Sequence, residues 1–359
     1  MSGERSPDDL YIRENIVRYV RIILVLLVVI VIAVWSFGVG SDLINLSIAL
    51  DIIRDHFNDV IPERSEDYWA WLRHRLVWEG TVPRAIGGLF IGAILGISGA
   101  VMQMCVRNPL ASPYTTGISS AALFGVTIFF VYDFTVLPDS GEFGLILNAF
   151  LFSMIPCALM IILSVRSKVT PTLLVLIGIG VMYLFNAFTM ILKYHAEPEI
   201  LSQIQLWSVG SIADLDWVAV KYVAVAFVIL LISMYIFASR LDVMTMGENM
   251  SQSLGVNPSR VRITCMVIIS ACTSVAVAFA GSIGFVGLVI PHISRLLVGS
   301  KCKNILPCSA VLGALLLLGS DVLARYLNLQ LPVGAVTAVI GAPLFLYFLI
   351  KIRTNGWGR

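Results

Sequence analysis

Apolar residues run along this chain in blocks of about twenty, which is the length a helix needs to cross the hydrocarbon core of a bilayer. The blocks are closed by charged, Pro-rich or Gly-rich turns. They predict spans at 17–37, 84–104, 114–132, 144–165, 172–193, 217–238, 260–280, 305–325 and 333–352. A shorter tenth lies near 288–298, behind the stretch AGSIGFVGLVIPH. Gly281, Gly284 and Gly287, with Pro291, predict a discontinuous element there. Such backbone is tolerated at membrane depth only against protein or a water-filled cavity. The expectation is an all-α, polytopic membrane protein of about ten transmembrane helices with one broken or re-entrant element. It forms a single transmembrane domain over 1–359, with a first span at 17–37, an outer loop at 38–83 and core spans over 84–352.

Composition sharpens this picture. Charged residues are 13% of the chain and hydrophobic ones 58%, whereas soluble domains carry about 25% charge. A pair of soluble domains of this length is therefore excluded. The net charge of +2 gives no reason to expect a nucleic-acid partner. The six cysteines lie in or beside apolar runs, without CxxC or a His at ligand spacing, so they read as packing residues; no metal and no cofactor is expected. The first apolar run follows Arg13, Arg18 and Arg21 and reads as a retained span. Ten spans place both termini on one side, and that side holds sixteen of the 24 Lys and Arg residues, Arg5, Lys168 and Arg359 among them. It is expected to be cytoplasmic, which makes the chain a multi-pass protein of the cytoplasmic (inner) membrane. The outer loop carries eight acids, from Asp42 to Glu79, and its DYWAWLRHRLVW segment suits the lipid–water interface.

The predicted spans hold almost no ionisable side chains away from their ends. The main exception is Asp321, one turn before Arg325, a spacing at which the two can neutralise each other. A carrier coupled to protons or sodium usually shows acids or His near the midplane, and a haem-bearing subunit would want His within spans. His56, His74, His195 and His292 lie near predicted ends or in loops. The Walker A sequence GxxxxGK[ST] is also missing. A pore subunit driven by a separate ATPase fits both absences. The long cytoplasmic loop SRLDVMTMGENMSQSLGVNPSRVR is the candidate to receive the ATPase. Residues 245–254 can form a short amphipathic helix stopped by Gly255 and Pro258, or an ordinary polar loop with one helical turn. Gly88, Gly92 and Gly96, four apart, form a smooth stripe for close helix contact. After that span, Asn108-Pro109 and Ser112-Pro113 force a turn. Leu110 then projects toward a pathway mouth or merely shapes a loop.

Five stretches taken together resemble a known family. They are VPRAIGGLFIGAILGISGAVMQMCVRNPLASPYTTGISSAALFG, LWSVGSIADLDW, MGENMSQSLGVNPSRVR, AGSIGFVGLVIPHISRLLVG and LPVGAVTAVIGAPLFLYFLIK. In order, across roughly 82–352, they resemble the iron-complex (siderophore, haem and cobalamin) importer permeases of the ATP-binding-cassette type, the FecCD type. The resemblance implies a fold like the cobalamin-importer permease, with inverted repeats in spans two to five and seven to ten. It implies a pore-forming subunit without enzymatic activity, working as a homodimer in membrane lipid with translocation along the two-fold axis. Two separate ATPase subunits and an extracytoplasmic substrate-binding protein would be its partners, the latter delivering an iron chelate or a corrinoid. It also implies an ATPase-coupling element at 245–257 with Gly247, Glu248, Leu254, Gly255 and Val256, although Asn249 and Met250 stand where acidic and small residues are usual. It places an inner gate at Asn108 and Leu110, and a second constriction at Thr170 and Thr172. Binding-protein docking falls to Arg84 and Arg325, with Thr81 where a third arginine is usual and Arg73 or Arg75 nearby. The rival from another class is a secondary carrier or channel for a small solute that needs no ATPase. A non-transporting scaffold or sensor is the third reading. Among cargoes, siderophore, haem, cobalamin and molybdate stay open.

Overall fold

The computed structural model describes residues 7–40, 43–137, 141–166, 170–327 and 331–355. Arg5, Asp42, Lys168 and Arg359, used in the charge reading, lie outside the described residues. The helices in chain order are α1 (Pro7–Ser36), α2 (Leu46–Phe57), α3 (Tyr68–Arg75), α4 (Val82–Cys105), α5 (Ile118–Tyr132), α6 (Glu142–Arg166) and α7 (Pro171–Tyr194). They continue with α8 (Pro198–Val209), α9 (Trp217–Thr245), α10 (Glu248–Ser253), α11 (Pro258–Ala280), α12 (Val286–Val298), α13 (Cys302–Tyr326) and α14 (Val333–Asn355). Among the described residues 7 helices are long and apolar enough to cross a membrane, and Ile118–Tyr132, Val286–Val298 and Val333–Phe348 are shorter apolar helices. Each of the ten predicted runs thus coincides with an apolar helix.

The differences have local causes. The fifteen-residue α5 begins at Ile118 rather than 114, because Pro113–Thr116 winds as a 3₁₀ turn and Gly117 (φ +87°) interrupts the backbone. α9 continues to Thr245, so its 29 residues are about 43 Å long at 1.5 Å per residue and exceed the roughly 30 Å hydrocarbon core. The loop expected on the cytoplasmic side consequently begins at Met246. The predicted helix over 245–254 shortens to α10, because Thr245 still belongs to α9 and Gly247 breaks between them. The outer segment 38–83 holds α2, α3 and a π-helical turn at Leu76–Thr81 that joins α3 to α4 without a break. α8 has no counterpart among the predicted elements.

α4 is the central helix, buried along nearly its whole length. Its glycine stripe explains how. A Cβ at Gly92 would overlap the Gly313 carbonyl, one at Gly96 the Ser309 carbonyl, and one at Gly99 the Gly287 carbonyl. Backbones of α13 and α12 therefore lie directly on α4. In lipid, where tails are as apolar as side chains, this close approach is what holds helices together. At the periphery α1 turns Ile23, Leu24, Leu27 and Val31 outward, as lipid contact requires.

Candidate functional site

At the C-terminal end of α4, on the side expected to be cytoplasmic, the chain makes the turn that the two prolines predict. The Asn108 N–H donates to the Gln103 carbonyl, and the Asn108 Oδ1 accepts from the Leu110 N–H at 2.9 Å. Ser112 and Thr115 cap the following turn reciprocally. Asn108 is thus tied into the turn, while the Leu110 side chain stands exposed.

The loop after α9 faces the same side. Gly247 adopts φ +117°, which a side chain would strain. α10 ends in a Schellman arrangement: the Gly255 N–H donates to the Gln252 carbonyl, and the Val256 N–H to that of Ser251. Gly255 supplies the positive φ this needs, +77°. Asn257 then caps α11 by accepting from the Arg260 N–H. Met246, Met250 and Leu254, at successive four-residue spacing, leave three apolar side chains exposed on this short element.

Charge fixes the loop to the core. Arg262, in the first turns of α11 and nearly buried, donates to Glu248 at 2.8 Å and to the Cys105 carbonyl at 2.9 Å. Arg107 lies 3.8 Å from the same carboxylate. A cavity of about 580 Å³ opens beside this cluster, lined by Arg107, Thr170 and residues 246–250. The structure therefore brings Thr170, which caps α7, together with Gly247 and Glu248. Thr172 is exposed on α7 and, like Asn108 and Leu110, lies outside that lining.

The opposite face, expected to be the outer one, carries a second cluster. Asp321 on α13 is almost fully buried, 1% exposed, and receives both arginines picked out in the sequence. The Arg84 Nε donates at 3.1 Å and the Arg325 Nε at 3.0 Å. Arg325 also donates to the Ser36 and Val39 carbonyls at 2.9 and 2.8 Å, so α4 and α13 meet at one carboxylate and the end of α1 joins them through Arg325. A cavity of about 490 Å³ is lined by Arg84, Arg325, Gly40, Ser211, Asp214 and Pro332, among others. The local Asp321–Arg325 pair is present as its spacing predicts; the arrival of Arg84 is new. Arg75 pairs with Glu79 at 2.7 Å in the outer segment.

Sequence reasoning missed Arg262 and Arg107 as the partners of Glu248. The available signal was an arginine inside a predicted span, Arg262, which needs a partner when buried. All six cysteines are free and buried, and among the described residues no group of three or more His, Cys, Asp or Glu is placed to hold a metal ion.

Long apolar helices around a glycine-packed core, with charged loops at each face, define a multi-pass membrane protein. The chain belongs to the FecCD transport family, whose sequence profile matches residues 25–351. It is 34% identical over 284 residues to an iron(3+)-hydroxamate import system permease of Bacillus subtilis, covering 78% of this chain and 72% of that one. It is 34% identical over 289 residues to a vitamin B12 import system permease of Vibrio cholerae, covering 79% and 85%. Among solved structures, a transporter of the metal-chelate ABC type in an inward-facing conformation superposes with a TM-score of 0.78 at 30% identity, over 92% of this chain and 98% of that one.

Proposed function

We propose that this chain is the membrane-spanning subunit of an ATP-driven importer that carries an iron chelate or a corrinoid across the cytoplasmic membrane. It works as a homodimer with both termini cytoplasmic, served by two ATPase subunits and an extracytoplasmic binding protein. The observation that carries this is the cytoplasmic loop. Met246, Met250 and Leu254 expose apolar side chains on and beside the short helix that Gly247 and Gly255 delimit and Arg262 holds to the core. A firmly mounted apolar knob suits a partner that delivers a mechanical stroke. In this reading Gly247, Glu248, Leu254, Gly255 and Val256 form the ATPase-coupling element. Asn108, Leu110, Thr170 and Thr172 border the inward path. At the outer face two guanidiniums share one carboxylate, and Asp214 stands on the same cavity wall. What is offered to acidic groups of the binding protein is therefore the partly exposed edge of Arg84 rather than a net positive surface. The relatives' iron-hydroxamate and vitamin B12 cargoes support a large, chelated metal ligand as the substrate class.

The test is uptake into vesicles reconstituted with the permease, its ATPase and its binding protein. An ATPase variant that binds but does not hydrolyse ATP should abolish accumulation. Continued accumulation with that variant would overturn the proposal in favour of a secondary carrier. Identifying the ligand that co-purifies with the binding protein then names the cargo.

A further inference from the structure

α12 is attached to the rest of the molecule in an unusual way. Behind it, Gly281 has φ +69°, and Phe285, a bulky residue, has φ +65°, a conformation that strains any side chain. Residues 281–284 are not helical. Ahead of this joint, α12 meets the end of α4 along one seam. Pro291 has no N–H to give the Gly287 carbonyl, and that carbonyl packs directly on Gly99. One turn further, the Gln103 Nε2 donates to the Leu288 carbonyl at 3.2 Å, and its Oε1 accepts from Arg295 at 2.7 Å. The seam does not stop where α4 stops. The His292 Nε2 lies 3.1 Å from the carbonyl oxygen of Pro109, in the turn that carries Asn108 and Leu110. A carbonyl only accepts, so His292 is the donor and carries its proton on Nε2. Leu288, His292 and Arg295 are four and three residues apart and share one face of α12. The His292 ring is 7% exposed and lies nearly parallel to Phe348 of α14, with Phe345 on the same helix beside it.

We propose that His292 is a positioning residue: by its hydrogen bond to the Pro109 carbonyl it fastens the turn bearing Asn108 and Leu110 to α12, so that the turn and α12 move as one body about the 281–285 segment. Its importance for transport rests on the reading of Asn108 and Leu110 as the inward gate; the fastening itself does not. The Arg295–Gln103–Leu288 contacts hold α12 to α4 proper. Among the hydrogen bonds of the described residues, the one from His292 extends the hold of α12 onto the turn.

The experiment uses the assembled transporter with its ATPase. Spin labels at Leu110→Cys and Leu296→Cys within one protomer, diluted with unlabelled protomer, report whether the turn follows α12. Labels at position 110 in both protomers report the gate. His292→Leu keeps apolar volume beside the two phenylalanines but cannot donate; His292→Gln can. One lost neutral hydrogen bond corresponds to about a three- to tenfold shift in a two-state equilibrium. We expect that shift toward a detached turn in the Leu variant, seen as a broadened 110–296 distance, with transport per ATP hydrolysed falling by a similar factor. The Gln variant should restore both. Should Leu fail to insert, His292→Asn, polar but shorter, takes its place with the same expectation. An unbroadened 110–296 distance in the variant overturns the proposal, as does a Gln variant no better than Leu, which would assign His292 to packing alone. If the 110–110 distance is the same in every nucleotide state while 110–296 broadens in the Leu variant, the fastening stands and the gate reading falls.

Discussion

The two faces of this molecule carry the same set of charges, one acid and two arginines, in opposite settings. At the outer face Asp321 is 1% exposed, with Arg84 and Arg325 at 23% and 12%. At the cytoplasmic face Glu248 is 43% exposed, with Arg262 at 6% and Arg107 at 37%. A sealed carboxylate between two guanidiniums cannot let go of one without stranding charge in a low-dielectric setting. A half-exposed carboxylate can, because water takes over as the arginine leaves. The outer cluster is therefore a tie across α1, α4 and α13. The inner one is a joint, in which Arg262 is anchored on the Cys105 carbonyl and Glu248 can swing with α10. The proposed function, with one partner docking outside and another delivering a stroke inside, would use that asymmetry.

The largest expected effect breaks the tie. Asp321→Ala strands two guanidiniums, and breaking a buried pair costs about 3–5 kcal/mol. Glu248→Ala removes a half-exposed partner and should cost about 1 kcal/mol or less. Thermal unfolding of the purified protein in detergent should show a large loss of midpoint for the first and a small one for the second. Equal losses would erase the distinction between tie and joint.

Next comes the joint's own geometry. Gly255 has φ +77° and open space where a Cβ would point, so a substitution there meets backbone strain rather than a clash. For an L-residue that strain is roughly 1–2 kcal/mol. Gly255→Val should unwind the end of α10 and lower transport per ATP hydrolysed several-fold without affecting insertion. Gly255→Asn, which tolerates this conformation, should be mild. Coupling unchanged by Val, with no cross-link between this loop and the ATPase, would count against the loop as the coupling element. Smaller again is Glu248→Gln, which keeps the shape and removes the charge. Coupling should weaken modestly at low salt and converge on the parent protein at high salt, where exposed pairs are screened.

What the sequence disclosed and what it withheld follow from the range of the interactions involved. An apolar run of span length is a local property, so ten runs gave ten helices whatever their neighbours. The Asn108-Pro109 turn and the Gly255 stop are equally local, since a missing N–H and a positive φ act within a few residues. α8, PEILSQIQLWSV, mixes polar and apolar positions without a long apolar face and was invisible for that reason. The outer loop is expected to run to residue 83, but a π turn carries α3 into α4 through Gly80, and Pro83 falls in the first turn, where its missing N–H is harmless. The clusters were the least accessible. Arg84 and Asp321 are 237 residues apart, and Arg262 and Cys105 157. Only packing of α4 against α11 and α13 brings them together. Sequence spacing revealed just the Asp321–Arg325 half, which lies within one helical turn.

The smallest expected effect separates the two outer arginines. The family resemblance treats Arg84 and Arg325 alike as docking positions, but the structure does not treat them alike. Arg325 is nearly buried, with its Nε donating to Asp321 and its Nη1 to the Ser36 and Val39 carbonyls, and with Nη2 2.9 Å from the same carboxylate. Arg84 is the more open of the pair and lines the same outer cavity. It can keep one edge on Asp321 while presenting another to an incoming carboxylate, since a guanidinium has five donors in a planar fork. Arg84→Gln should therefore weaken binding of the binding protein by about two- to fivefold, the scale of one exposed pair, and should cost less thermal stability than Arg325→Gln, since Arg325 still neutralises Asp321. The loss should fade as ionic strength rises, because long-range attraction between exposed charges is screened within about 10 Å at 0.1 M salt. Arg325→Gln should do the reverse, lowering the unfolding midpoint and leaving affinity near the parent value among molecules that remain folded. Equilibrium binding across a salt series, with unfolding measured on the same preparations, checks both. Affinity unchanged by Arg84→Gln at low salt would remove Arg84 from the docking surface. A matching loss of affinity in Arg325→Gln would show that the tie itself reaches the partner.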